Sequence, residues 1–271
     1  MKQIIIDSKN KLLEGLNSYI NDPNFLKIIV EKINNLNIKI LDVKDFDEKF
    51  KEFGGQGFAP AAFCYEGEVY LKNYNLSEHI IIHEMLHAIS EHNYEKGAKH
   101  GLLVANKEKN YLYGRGFNEG FTEYLASLIT NEMFTGYTED FKLIIELFMQ
   151  ISNYNIEDVL KLYFQKEEWL SDFVINSFDM INKSLPNLVV EYDNKSIYSK
   201  NKFNPNNVMI IILNAIENKI NGNDYLDTNK ISGNLKQLNN YFYHVDFEFD
   251  SEVQEKLANV LDIIGTYKPK K

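Results

Sequence analysis

A chain of 271 residues, 44% hydrophobic and 13% aromatic, is long enough for one large domain or two moderate ones and can bury a sizeable core. Its formal net charge of −10 argues against nucleic acid or an anionic membrane surface as a partner, because both attract basic faces. No apolar run approaches the roughly 20 residues of a spanning helix, no signal peptide is visible, and a single cysteine, Cys64, excludes an intrachain disulfide framework. The setting they suggest is cytoplasmic and reducing, although a secreted chain stripped of its leader reads the same way.

Residues 8–21 and 24–35 carry apolar side chains at helical spacing, separated by a turn at Asn21-Asp22-Pro23. Residues 38–43 alternate as a strand and 46–53 read as a short amphipathic helix. The glycine-rich stretch 54–60 is a connector that can serve as a flap. Residues 61–65 and 68–72, joined across Glu66-Gly67, are expected to form a β-hairpin. A strand here would border the next helix and could hold an extended peptide by main-chain hydrogen bonds.

Ser77 is a good N-cap for a helix fading after His92, and that helix contains His83-Glu84-x-x-His87. Residues four apart stack on one helical face, so His83 and His87 can offer two imidazoles to one ion with Glu84 beside it. Ile81, Ile82, Met85, Leu86 and Ile89 gather on the other side as core. Irregular chain is expected over 93–116. Asn118 is then read as the cap of a second helix, 119–131, with Phe121, Tyr124, Leu125 and Leu128 on one face and Glu119, Glu123 and Ala126 on the opposite one. Beyond it, helices are predicted at 138–151, 156–165, 168–183, 205–220 and 251–265, with strands near 188–192 and 241–249.

Catalytic zinc takes three protein ligands and keeps a position for water, so the two histidines need a third partner. The candidate lies in Asn118-Glu119-Gly120-Phe121-Thr122-Glu123, with 31 residues between His87 and Glu119. Together the two segments resemble the gluzincin metallopeptidases. M1 aminopeptidases have a similar N-E-G-F segment, and anthrax lethal factor and the Pro-Pro endopeptidases a similar E-x-F-A-E segment. The resemblance covers about 45 residues, and its interval is longer than in thermolysin-like or aminopeptidase members. It implies an α+β, zincin-like, two-lobed fold: an N-terminal α/β lobe (1–115) with the active-site helix and a mainly helical C-terminal lobe (116–271), with the metal between them. It also implies Zn²⁺ held by His83, His87 and Glu119, with Glu123 supporting a ligand histidine, His83 or His87.

The activity so implied is hydrolysis of a peptide or protein substrate, with Glu84 taking a proton from the attacking water and passing it to the leaving amine. No G-x-M-E-N-type segment precedes the motif, which favours an endopeptidase. The oxyanion needs a further donor: Tyr113, Tyr111 and His244 are candidates, and Tyr113 is favoured because related peptidases place a tyrosine shortly before the ligand glutamate. Arg115, the only arginine, can bind a substrate carboxylate or carbonyl or simply satisfy its own loop. His79 is expected to meet solvent or a cap, His92 and His100 to be ordinary polar residues, and Cys64 to behave as a buried hydrophobe. Two rival readings stay open: a non-catalytic zinc-containing binding module derived from a peptidase, and a dedicated intracellular processor of one partner protein. The oligomeric state is not legible.

Overall fold

The computed structural model describes residues 2–55, 57, 59–94, 97–106, 111–132, 139–164, 191, 203–222 and 224–267; of 94, 104–106, 111–113 and 139 only the backbone is described. The predicted helix at 168–183 and most of the predicted strand at 188–192 lie outside these residues, as does part of the 54–60 connector; Glu191, the one described residue of that strand, is helical.

The chain opens with helices α1 (Lys2–Tyr19) and α2 (Pro23–Asn34), close to the predicted pair. Asp22 caps α2 by accepting from the backbone N–H groups of Asn24 and Phe25, and Pro23 occupies the first helical position, where no N–H is needed. Strand β1 (Ile38–Leu41) and helix α3 (Val43–Glu52) follow, then the hairpin β2 (Ala62–Tyr65) and β3 (Glu68–Lys72). Its two turn residues, Glu66 and Gly67, have φ of 50° and 72°, the double positive φ of a tight type I′ turn. The three strands form one sheet in the order β1-β3-β2, parallel between β1 and β3 and antiparallel between β3 and β2.

The two faces of this sheet divide by alternation. Phe63, Tyr65 and Tyr70 meet the rings of Phe46 and Phe50 from α3 and of Phe53 at its C-cap, while Ala62, Val69 and Leu71 are buried on the other face. There they lie against α4 (Glu78–Ser90), capped by Ser77 as predicted. Ile81, Ile82, Met85, Leu86 and Ile89 of α4 are all buried, in contact with α1, α2 and the hairpin.

Residues 93–116 are not irregular. Four short strands, β4 (Glu91–Tyr94), β5 (Gly97–His100), β6 (Leu103–Asn106) and β7 (Tyr111–Tyr113), form an antiparallel meander in sequence order. An even number of antiparallel strands brings a chain back to the end of the sheet it left. The meander therefore returns to the neighbourhood of α4 and feeds α5 (Arg115–Thr130), which packs along α4.

Asn118 is not the cap of α5, as expected from the sequence. Gly114 stands at that position, and the backbone N–H of Asn118 already donates to Gly114 O, at 2.8 Å, inside the first turn. Gly101, in the β5–β6 turn, has φ +59°, and a Cβ there would lie 2.2 Å from both Asn118 Oδ1 and the Tyr163 ring. That glycine lets the turn sit directly on α5, where Leu102 N donates to Asn118 Oδ1 at 2.9 Å.

Helices α6 (Glu139–Ser152), α7 (Ile156–Phe164), α8 (Pro205–Asn221), α9 (Thr228–His244) and α10 (Ser251–Thr266) complete the described chain. Four of them match predictions; α9 overturns the predicted strand at 241–249. Ile231, Leu235, Leu238 and Phe242 recur at helical spacing and are all buried, so the Tyr241-Phe242-Tyr243 run belongs to the last turns of that helix. The protein is α+β, with one apolar core continuous from Leu12 to Ile264. No helix among the described residues is long and apolar enough to cross a membrane.

Candidate metal centre

The site is the polar seam between α4 and α5. His79, His83 and His87 recur every four residues on α4, and Glu119 and Glu123 stand one turn apart on α5, so two stripes face each other. The close approach of α5 to α6 on its far side depends on Gly120, where a Cβ would meet the Phe141 ring at 2.4 Å.

His83, His87 and Glu119 form a group that can hold a metal ion. His83 Nε2 is 3.0 Å from His87 Nε2 and 3.7 Å from Glu119 Oε2, and His87 Nε2 is 3.4 Å from the same oxygen. Three ligand atoms of a tetrahedral zinc site, each about 2.0–2.1 Å from the ion, stand about 3.4 Å apart. The observed triangle therefore fits a small tetrahedral cation without movement of either helix. The donor set, two imidazoles and one carboxylate, is the chemistry such an ion takes. The side chains are mostly buried yet not sealed: those of both histidines are 12% exposed and that of Glu119 32%.

Electrostatics accord with a cation site. Burial disfavours charge on Glu119, but His87 and His83 outweigh it and hold the carboxyl well below its ordinary range. Burial likewise opposes charge on His83, yet the nearby Glu119 carboxylate and the hydrogen bond to Glu123 raise its pKa to about 10. Glu84 goes the other way. Burial lifts its carboxyl above the ordinary range against the pull of His83 and His87, and the backbone N–H of Cys64 donates to it. Burial, with Glu84 and Glu91 adding, pushes the Cys64 thiol well up; the residue packs against the core but is half-buried, where the sequence reading expects a buried hydrophobe.

Glu123 Oε2 accepts from His83 Nδ1 at 2.9 Å, so the histidine it supports is His83, and that bond leaves Nε2 of the ring facing the metal group. The other ring is held less firmly. Asn118 Nδ2 lies 3.4 Å from His87 Nδ1, beyond ordinary hydrogen-bond range.

His79 does not face solvent. It is 1% exposed and lies 2.7 Å from Glu123 Oε1, a contact invisible from sequence because its partner is 44 residues away. His92 is also buried, against Phe164 O, and His100 lies 3.3 Å from Glu91. Arg115 opens α5, one turn before Glu119, half-buried and engaged in contacts of its own. Tyr111 and Tyr113 lie on β7 just ahead of α5, and their side chains lie outside the description. His244 is exposed at the end of α9, where its described ring contact is with Tyr243; none of its described contacts reaches the metal group.

Comparison of the chain with protein-family models, with curated proteins and with solved structures finds no match. The site's own geometry therefore carries the functional reading.

Proposed function

We propose that the protein is a zinc-dependent peptidase of gluzincin type, with the metal held by His83, His87 and Glu119 between an N-terminal α/β lobe and a helical C-terminal lobe. The observation that carries this reading is the convergence of those three ligand atoms from two helices, with 31 residues between His87 and Glu119 in the chain and the half-buried Glu84 next to them. Bound zinc supplies a Lewis acid that polarises a carbonyl and makes water acidic enough to attack it near neutral pH.

The rest of the work falls to the chain. Glu84, with its pKa raised by burial, is suited to take a proton from the attacking water and hand it to the leaving amine. The Cys64 N–H holds the carboxylate in place, and Glu123 holds His83. Strand β2 is an edge of its sheet. Lys72 N donates to Ala61 O, so alternation turns the main-chain groups of Ala62 and Cys64 away from β3, towards the side where Glu84 lies. The Cys64 N–H is taken by Glu84, so an extended substrate pairing with the remaining groups of that edge would lie alongside Glu84, which favours a protein or peptide substrate cleaved internally. Tyr113 and Arg115, at the junction of β7 and α5, are our candidates for contacts to the oxyanion and the substrate.

Metal analysis of the purified chain together with cleavage of a peptide library by wild type and Glu84→Gln tests the reading. Near-stoichiometric zinc in both proteins and cleavage by wild type alone are expected. Zinc in both without any cleavage dependent on Glu84 would establish a binding module instead, and absence of zinc from wild type would end the proposal.

A further inference from the structure

Beyond the ligands and Glu123, we propose that His79 is a positioning residue of the metal centre. It clamps Glu123 so that Glu123 fixes His83 with its Nε2 lone pair turned to the metal. The inference rests on the metal reading above and not on the peptidase activity.

The α4–α5 seam continues past the metal group as a chain of hydrogen bonds. Glu123 uses both oxygens: Oε2 accepts from His83 Nδ1 at 2.9 Å and Oε1 lies 2.7 Å from His79 Nε2. On its other side His79 Nδ1 lies 3.0 Å from Thr130 Oγ1. The Thr130 hydroxyl in turn lies 2.8 Å from Ala126 O, so the His79 ring is held on both nitrogens.

Glu123 Oε1 is a carboxylate oxygen, so it accepts from His79 Nε2–H across the interface. Glu123 and His79 are 5% and 1% exposed, so solvent has little access to replace these bonds. With both oxygens engaged from opposite sides the carboxylate cannot rotate, and the direction offered to His83 Nδ1 is single. Groups that orient a metal-bound histidine are worth about 10- to 100-fold in metal affinity; His79 acts one bond further out.

The test uses the full chain. Zinc dissociation constants are measured by chelator competition for wild type, His79→Phe, which keeps a ring without its nitrogens, and His79→Gln, which keeps an amide donor for Glu123. The thermal midpoint of each metal-free protein is recorded in parallel. His79→Phe is expected to weaken zinc binding by about tenfold or more, and His79→Gln to recover most of the loss, at similar metal-free midpoints. A folded His79→Phe protein that binds zinc like wild type overturns the proposal.

Should His79→Phe fail to fold, nitrogen NMR of histidine-labelled wild type decides. Hydrogen on His79 Nε2 is expected, and a bare Nε2 overturns the proposal. Zinc binding sensitive to His79 without cleavage dependent on Glu84 removes the peptidase reading and keeps this one. Cleavage dependent on Glu84 with zinc binding indifferent to His79 does the reverse.

Discussion

Two clusters of basic side chains among the described residues solve opposite problems. In the last described turn of α7, donors meet acceptors: Lys99 Nζ donates to Leu162 O and Tyr163 O, each at 2.9 Å, while His92 Nε2 lies beside them, 3.0 Å from Phe164 O and 3.1 Å from Lys32 Nζ. At the α4–α5 seam, lone pairs meet lone pairs: His83 Nε2, His87 Nε2 and Glu119 Oε2 face one another. That arrangement is favourable only with a proton or a cation among the three atoms. Burial of titratable groups is common to both clusters and marks neither as a site; the sign of what faces what separates them.

The comparison can be broken most directly at Glu119. Glu119→Ala should lower zinc affinity by more than about a hundredfold and Glu123→Ala by about 10- to 100-fold, as measured by chelator competition. The reverse order would mean that the ligand and its support have been exchanged. Lys99→Met should leave zinc affinity within about twofold if the α7 cluster is purely structural.

Next in size is Gly101→Ala. A left-handed backbone and a 2.2 Å approach to Asn118 Oδ1 make it destabilising, by about 1–3 kcal/mol in urea unfolding. Because the same turn is tied to the first turn of α5, zinc binding should weaken with it. Unchanged zinc affinity would show that the meander and the site are independent.

The smallest effect sharpens the α7 side. Burial, with Lys32 adding, holds the Lys99 amine down to about 7. Between there and its ordinary value of 10.5 the unfolded chain binds the extra proton, so stability rises with pH across that window. The slope from this group approaches about 1.4 kcal/mol per pH unit. Urea unfolding at pH 7, 8 and 9 should show that slope reduced in Lys99→Met; identical slopes would place the amine in a wetter setting than the structure does.

Legibility in the sequence followed the length of each pattern. Helix α4 was readable because Ser77, the five apolar residues and His83-Glu84-x-x-His87 all agree over thirteen positions. The β2–β3 hairpin was readable from Glu66-Gly67 and its flanks. The meander was not: strands of three or four residues, such as Glu91-His92-Asn93-Tyr94, are too short and too polar for alternation to register. In α9 the aromatic run Tyr241-Phe242-Tyr243 favours strand by propensity, and packing of Ile231, Leu235, Leu238 and Phe242 overrode it. Glu119 was found through a resemblance, not a period. His79 was missed because i, i+4 spacing says which residues share a face and nothing about what the face meets.

The even strand count of the meander bears on how such chains are found. Lengthening β4–β7 by a whole hairpin would change the interval between His87 and Glu119 and leave both ends of the excursion where they are, whereas adding one strand would carry α5 to the far side of the sheet. Parity, rather than residue count, is what the geometry conserves. Sequence patterns demanding a set number of positions between an H-E-x-x-H segment and its distal glutamate would therefore pass over relatives that differ by one hairpin. A pattern requiring the two helices and leaving the excursion free would gather them.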